Sequence, residues 1–111
     1  MTKDISPKTR ISQIFAALRE RNYTVYTFNS NRPLPASAKG FPDHMIMHKK
    51  KALIIFIEVK IGADKMSQEQ KDFELCASHV AALCKRQVYY CVVKTVAEAE
   101  KLRCRILEGK L

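Results

Sequence analysis

Apolar residues recur three and four apart at Ile11, Ile14, Phe15 and Leu18, marking one face of a helix that Ser6-Pro7 opens and that runs to about Arg21. Asn22 suits its C-terminal stop. Thr24 to Phe28 reads as a short strand, and Asn29 to Lys39, with Pro33, Pro35, two Asn and two Ser, reads as a loop. Asp43 to Met47 forms a second strand, His48-Lys49-Lys50-Lys51 a polar turn, and Leu53 to Lys60 a third strand that is continuously apolar and β-branched as far as Ile57. These two strands make a hairpin. After a loop at Gly62 to Met66, Ser67 begins a second helix with Phe73, Cys76, Ala77, Val80 and Cys84 as its expected buried stripe and Lys85-Arg86 at its end, where positive charge suits the helix dipole. Val88 to Val93 is a fourth strand. Val96 to Leu107 is a last helix, with Ala97, Leu102 and Ile106 as its apolar contacts.

The order is therefore α-β-β-β-α-β-α. The helix between the third and fourth strands implies a parallel pair, whereas the hairpin before it is antiparallel. The expectation is an α/β fold, a mixed four-stranded sheet flanked by helices, in a single domain over residues 1–111.

Charge adds a partner to this picture. Twenty Lys and Arg against eleven Asp and Glu give a formal net charge of +9. Folding does not need that excess, so a polyanion is the natural partner, nucleic acid before an acidic membrane surface. No apolar run approaches the ~18 residues of a membrane span. The Met1-Thr2-Lys3-Asp4 start has no apolar signal region. The chain is expected to be soluble, without a membrane partner, and cytoplasmic, in the host cytoplasm if its source is viral.

Cys76, Cys84, Cys91 and Cys104 match no zinc-binding spacing. Their places on apolar stretches predict buried, reduced thiols behaving as small hydrophobes.

The candidate chemistry lies in Pro42-Asp43 and Glu58-Val59-Lys60. Side chains alternate along a strand, so Glu58 and Lys60 share one face while Ile57 and Val59 take the other. Two charges at the end of a core-like strand are unfavourable unless something pairs them. Asp43 and Glu58 offer hard oxygen ligands suited to Mg²⁺ or Mn²⁺. Lys60, protonated beside two carboxylates, can orient a water or stabilise a transition state on phosphate. Simpler readings stand beside these: a Glu58–Lys60 surface ion pair, Asp43 starting a strand from a turn, and Ser67 with Gln70 forming a capping box. His44 is expected to face away from the metal side as a structural residue.

The element order, Pro42-Asp43 with Glu58-Val59-Lys60, Gly40 before the Pro, and Ser67 with Gln70 after the third strand together resemble the VRR-NUC domain. That domain is a virus-type replication-repair module of the PD-(D/E)XK nuclease superfamily, and the resemblance covers roughly residues 8 to 96. It implies a PD-(D/E)XK nuclease-like core, catalytic roles for Asp43, Glu58, Lys60 and Gln70, and a metal held by Asp43, Glu58 and the Val59 carbonyl. The resemblance departs at the first helix. Many members carry an acidic residue there, and here Ser6-Pro7-Lys8-Thr9-Arg10 has none.

The function so implied is a metal-dependent endodeoxyribonuclease acting on structured or branched DNA, with four-way (Holliday) junction resolution by a homodimer as its sharper form. Val25 to Phe28 or the last helix would supply the dimer surface. Arg32, Lys39 and Lys65 adjoin the site in sequence and are the expected nucleic-acid contacts. A non-catalytic DNA-binding module on the same fold is the alternative, and a basic protein-interaction subunit a third reading.

Overall fold

A computed structural model describes residues 5–28, 39–84 and 87–111 of the chain. Helix α1 spans Pro7–Ala16 and tightens into a 3₁₀ turn over Ala17–Arg21. Strands β1 (Tyr23–Thr27), β2 (His44–His48) and β3 (Leu53–Val59) follow, then α2 (Gln68–Cys84), β4 (Gln87–Val93) and α3 (Val96–Glu108). The expected order of elements is present. Strand bounds shift by one residue at most ends, and the first helix changes type where a regular α-helix to Arg21 was expected.

The local causes are visible. Ser6 caps α1 by accepting the Thr9 N–H at 3.2 Å, with Pro7 in the first turn where its missing donor is harmless. Asn22 takes the left-handed conformation (φ 72°) that ends the 3₁₀ turn and points the chain into β1. Thr95 caps α3 by accepting from Glu98 N–H at 3.1 Å, and Gly109 closes that helix in the left-handed region.

The four strands form one mixed sheet in the order β1-β2-β3-β4, with β1–β2 and β2–β3 antiparallel and β3–β4 parallel. The register aligns Val25, Ile46, Ile55 and Tyr89 across one face and Tyr26, Met45, Phe56 and Tyr90 across the other. The first face carries the main core: Ile11, Phe15 and Leu18 of the N-terminal helix and Ala99, Leu102 and Ile106 of α3 pack with Val25, Ile46, Ile55, Ile57 and Val93. Phe15 is fully buried here, and burial of such a side chain is worth about 1.5–3 kcal/mol. The second face meets α2 through aromatic edges. Phe73 lies 5.0 Å from Phe56 and 5.3 Å from Phe41, whose ring also meets Phe28 at 4.9 Å. The sheet thus separates a two-helix layer from a one-helix layer. Among the described residues, no helix is long and apolar enough to cross a membrane.

Three expectations are corrected here. On α2 only Ala77 of the expected stripe is buried; Phe73 is half-buried, and Cys76, Val80 and Cys84 face solvent. The side chains turned inward are Gln70, Phe73, Glu74, Ala77 and Ala81, a face rotated from the apolar one. The cysteines follow suit: Cys76, Cys84 and Cys104 are exposed free thiols and Cys91 is half-buried, so the buried-thiol account fails for three of four. On α3, Ala97 is exposed and Ala99 takes the core position.

Candidate active site

Asp43 and Glu58 meet because the β2–β3 ladder, which pairs Met45 with Phe56 and His44 with Ile57, continues by one step to set Asp43 opposite Glu58. Pro42, fully buried, leads the chain into β2. Gly40 has φ +89°, and a Cβ there would lie 2.6 Å from the carbonyl carbon of Glu69. Only glycine permits this approach, which brings the Gly40-Phe41-Pro42-Asp43 segment against the first turn of α2.

Asp43 Oδ2 accepts the Val59 N–H at 2.8 Å, tying the end of β3 to the start of β2. Glu58 is 2 % exposed, a depth at which a carboxylate must be paired. Its two oxygens differ. Oε1 accepts from Gln70 Nε2 at 2.9 Å and lies 3.2 Å from Lys60 Nζ. Oε2 is buried and has no hydrogen-bond partner among the described residues. Burial, then the negative charge of Asp43, push the Glu58 carboxyl up to about 7, with Lys60 acting in the opposite direction. Such a pair of carboxylates is poorly tolerated without a positive charge between or beside them. The Glu58–Lys60 pair is therefore no solvated surface contact: the two side chains are 3 % and 14 % exposed.

Gln70 reaches Glu58 because of how α2 begins. Ser67 N–H donates to Gln70 Oε1 at 2.8 Å and Gln70 N–H donates to Ser67 Oγ at 3.2 Å, a reciprocal capping box. The amide oxygen of Gln70 serves the helix cap and its nitrogen serves Glu58. One side chain thus holds the expected cap and a hydrogen bond to Glu58.

His44 faces the other layer. It is 2 % exposed, its Nδ1 is 3.1 Å from Thr27 Oγ1, and its ring lies 5.6 Å from that of Phe15. Burial holds its pKa below the usual histidine range, with the Asp43 charge opposing. This is the structural role expected for it.

No protein-family model, curated protein or solved structure matches this chain. What the site can do therefore rests on its own chemistry. Among the described residues, no group of three or more His, Cys, Asp and Glu side chains is gathered for a metal. Two carboxylates with a free buried oxygen fit Mg²⁺ or Mn²⁺ nonetheless, since Mg²⁺ keeps several waters and takes only one or two carboxylates. They do not fit a closed zinc site, which needs four protein ligands of N and S type.

Of the expected nucleic-acid contacts, Lys39 and Lys65 are exposed, one just before Gly40 and the other just before α2. Arg32 lies outside the described residues. The hairpin lysines Lys49, Lys50 and Lys51 are exposed as well, and the N–H groups of Lys50 and Lys51 donate to His48 Nδ1 at 3.0 and 3.1 Å.

Two features escaped the sequence reading. Tyr90 lies on the sheet face that carries Phe56 and Glu58, and its Oη is buried without a partner among the described residues. Burial and then the Glu58 charge raise its pKa. The alternation Val88-Tyr90-Val92 carried the signal for its facing. The second is the first turn of α1: Lys8, Thr9 and Ser12 line a cleft of about 290 Å³ that also touches Asp43 and Val59.

Proposed function

We propose that this chain is a metal-dependent endodeoxyribonuclease of the VRR-NUC type, with a PD-(D/E)XK nuclease-like core, that hydrolyses phosphodiester bonds in structured or branched DNA. The observation that carries the reading is Glu58 Oε2: a buried carboxylate oxygen without a partner among the described residues, beside Asp43, while Oε1 is held by Gln70 and Lys60. An evolved ion pair would satisfy both oxygens; a metal ligand keeps one free.

Asp43, Glu58 and the Val59 carbonyl would hold the Mg²⁺ or Mn²⁺. Bound there, the ion supplies Lewis-acid chemistry, lowering the pKa of a coordinated water and offsetting charge on the phosphate. The protein's own residues do the positioning. Gln70, bonded to Oε1, fixes the rotamer of Glu58 and leaves Oε2 available to the ion it would hold. Lys60, 3.2 Å from Glu58 Oε1, would steady the attacking water and the negative charge growing on the phosphate oxygens. The Val59 N–H holds Asp43 in its orientation.

Net charge of +9 supports a nucleic-acid substrate recognised through its backbone. Four-way junction cleavage by a homodimer is the sharper form of this reading, since paired active sites cut two strands symmetrically. Among the described residues, exposed large apolar side chains concentrate on α2, at Leu75, Val80 and Leu83, with Ile5 before α1, Tyr26 on β1 and Leu107 on α3 as single additions. The same reading has the chain acting inside the cell, in the cytoplasm.

The test incubates labelled linear, flap and four-way DNA with the purified protein and Mg²⁺, Mn²⁺ or EDTA. Cleavage that needs the metal and vanishes in Glu58→Ala and Lys60→Ala supports the reading; equal cleavage by a double variant overturns it. A second reading is favoured by the absence of a carboxylate in the first turn of α1. It makes the chain a non-catalytic DNA-binding module, and it predicts metal-independent retention of the DNA without products.

A further inference from the structure

We infer that the cleft between the first turn of α1 and Asp43 is a subsite for a DNA backbone phosphate flanking the one that is cut, with Lys8 as its cation. The inference rests on the nuclease reading above and assigns residues that reading does not use. The cleft, about 290 Å³, is walled by Lys8, Thr9 and Ser12 of α1, Thr27, Asp43 and Val59. Glu58 and Lys60 are not among its walls, so it lies beside the reacting centre, with Asp43 and Val59 common to both.

Its polar groups sort by what they can still donate. Ser12 Oγ donates to the Lys8 carbonyl at 3.0 Å, so its proton is committed. Thr9 Oγ1 accepts from Ser6 Oγ at 2.9 Å and gives its own proton to no acceptor among the described residues. Lys8 Nζ is 3.8 Å from Asp64, and both side chains are more than half exposed. A pair this long and wet is weak, and a phosphate competes well for the ammonium. The acceptor best served by an ammonium and a free hydroxyl is an anion with several oxygens. Asp43 alone would repel one, but a divalent cation on Asp43 and Glu58 would neutralise both carboxylates and leave the lysines Lys60 and Lys8 as the net charge there.

A labelled four-way DNA junction is the probe, bound in Ca²⁺ and followed by fluorescence anisotropy over a salt series, with cleavage in Mg²⁺ measured in parallel. Lys8→Ala should weaken binding about 3- to 10-fold near 0.1 M salt and reduce the slope of log Kd against log salt by about 1. Lys8→Arg should restore both. Asp64→Asn should tighten binding, because it frees the ammonium. Lys101→Ala, at an exposed position on α3, should leave binding as it was. At saturating junction, kcat for Lys8→Ala should stay within about 2-fold of wild type while KM rises. Unchanged affinity and slope in Lys8→Ala, or a fall in kcat with KM unchanged, would overturn the subsite. A wild-type protein that binds the junction without cutting it overturns the nuclease reading alone, and the Lys8 slope still decides the subsite. A wild-type protein that does neither overturns both.

Discussion

Gln70 Nε2 donates to Glu58 Oε1 at 2.9 Å while the same side chain closes the capping box with Ser67, so the N-terminus of α2 and the buried carboxylate of β3 are joined by one amide. The start of a helix thereby sets the orientation of a residue on the neighbouring layer. Structure and chemistry are coupled at that point.

Substitution separates the two roles. Ser67→Ala removes only the cap and should lower stability by about 0.5–2 kcal/mol, with Mg²⁺ affinity unchanged. Gln70→Ala removes the cap's return bond and the hold on Glu58, so it should lower stability by a similar amount and also weaken Mg²⁺ binding and cleavage. Thermal melts with and without Mg²⁺ check both; a metal-induced rise in Tm that is equal in the two variants would deny Gln70 a role at the site.

Gly40→Ala should be among the most damaging single changes outside the core. The residue sits at φ +89°, and its Cβ would be 2.6 Å from the Glu69 carbonyl carbon. Both backbone conformation and space oppose the methyl group, and a loss of about 2 kcal/mol or more is expected. Because Gly40 seats the segment that ends in Asp43, cleavage should fall further than the loss in folded fraction explains. Denaturant unfolding and cleavage at matched folded fraction measure the two effects.

The strand pairing and the meeting of Asp43 with Glu58 were legible because a hydrophobic hairpin and a strand–helix–strand unit leave few arrangements, and because alternation assigns each side chain a face. The rotation of α2 was not. Apolar residues occur on several of its faces, so periodicity alone nominated Cys76, Val80 and Cys84 for burial. What turns the helix is polar: Gln70 must reach Glu58, and the Glu69 carbonyl must meet Gly40. Those contacts bring Gln70, Phe73 and Ala77 inward and leave Cys76 and Val80 outside. Likewise the cleft at Lys8 depends on how the first turn of α1 approaches Asp43, a long-range relation that spacing along the chain does not encode.

The same rotation predicts thiol reactivity. Cys76, Cys84 and Cys104 are exposed, whereas Cys91 is half-buried and burial raises the pKa of its thiol. A disulfide-exchange reagent at neutral pH should label three thiols of the native protein quickly and the fourth only slowly. Fast labelling of a single thiol would mean that α2 buries the apolar stripe after all, or that another surface covers it.

Glu58 gives the stability a definite dependence on pH. Its carboxyl titrates near 7 in the folded protein against 4.5 as its ordinary value, so the folded state binds the extra proton between those limits. Stability from this group is therefore highest below about 4.5 and falls as pH rises toward 7, by on the order of 2–3 kcal/mol in the absence of metal. His44, buried with a lowered pKa, acts the other way: its contribution is lost as pH falls through the ordinary histidine range near 6.5. Comparing wild type with Glu58→Gln cancels the histidine. In EDTA the variant should gain on wild type steadily from pH 4.5 to 7 and keep its advantage above. If Glu58 holds Mg²⁺ as proposed, adding the ion at pH 8 should reverse that order, because it would stabilise only the protein that retains the carboxylate. Equal slopes in the two proteins would mean that Glu58 ionises as it does in water, and the case for a vacant buried oxygen would fall with it.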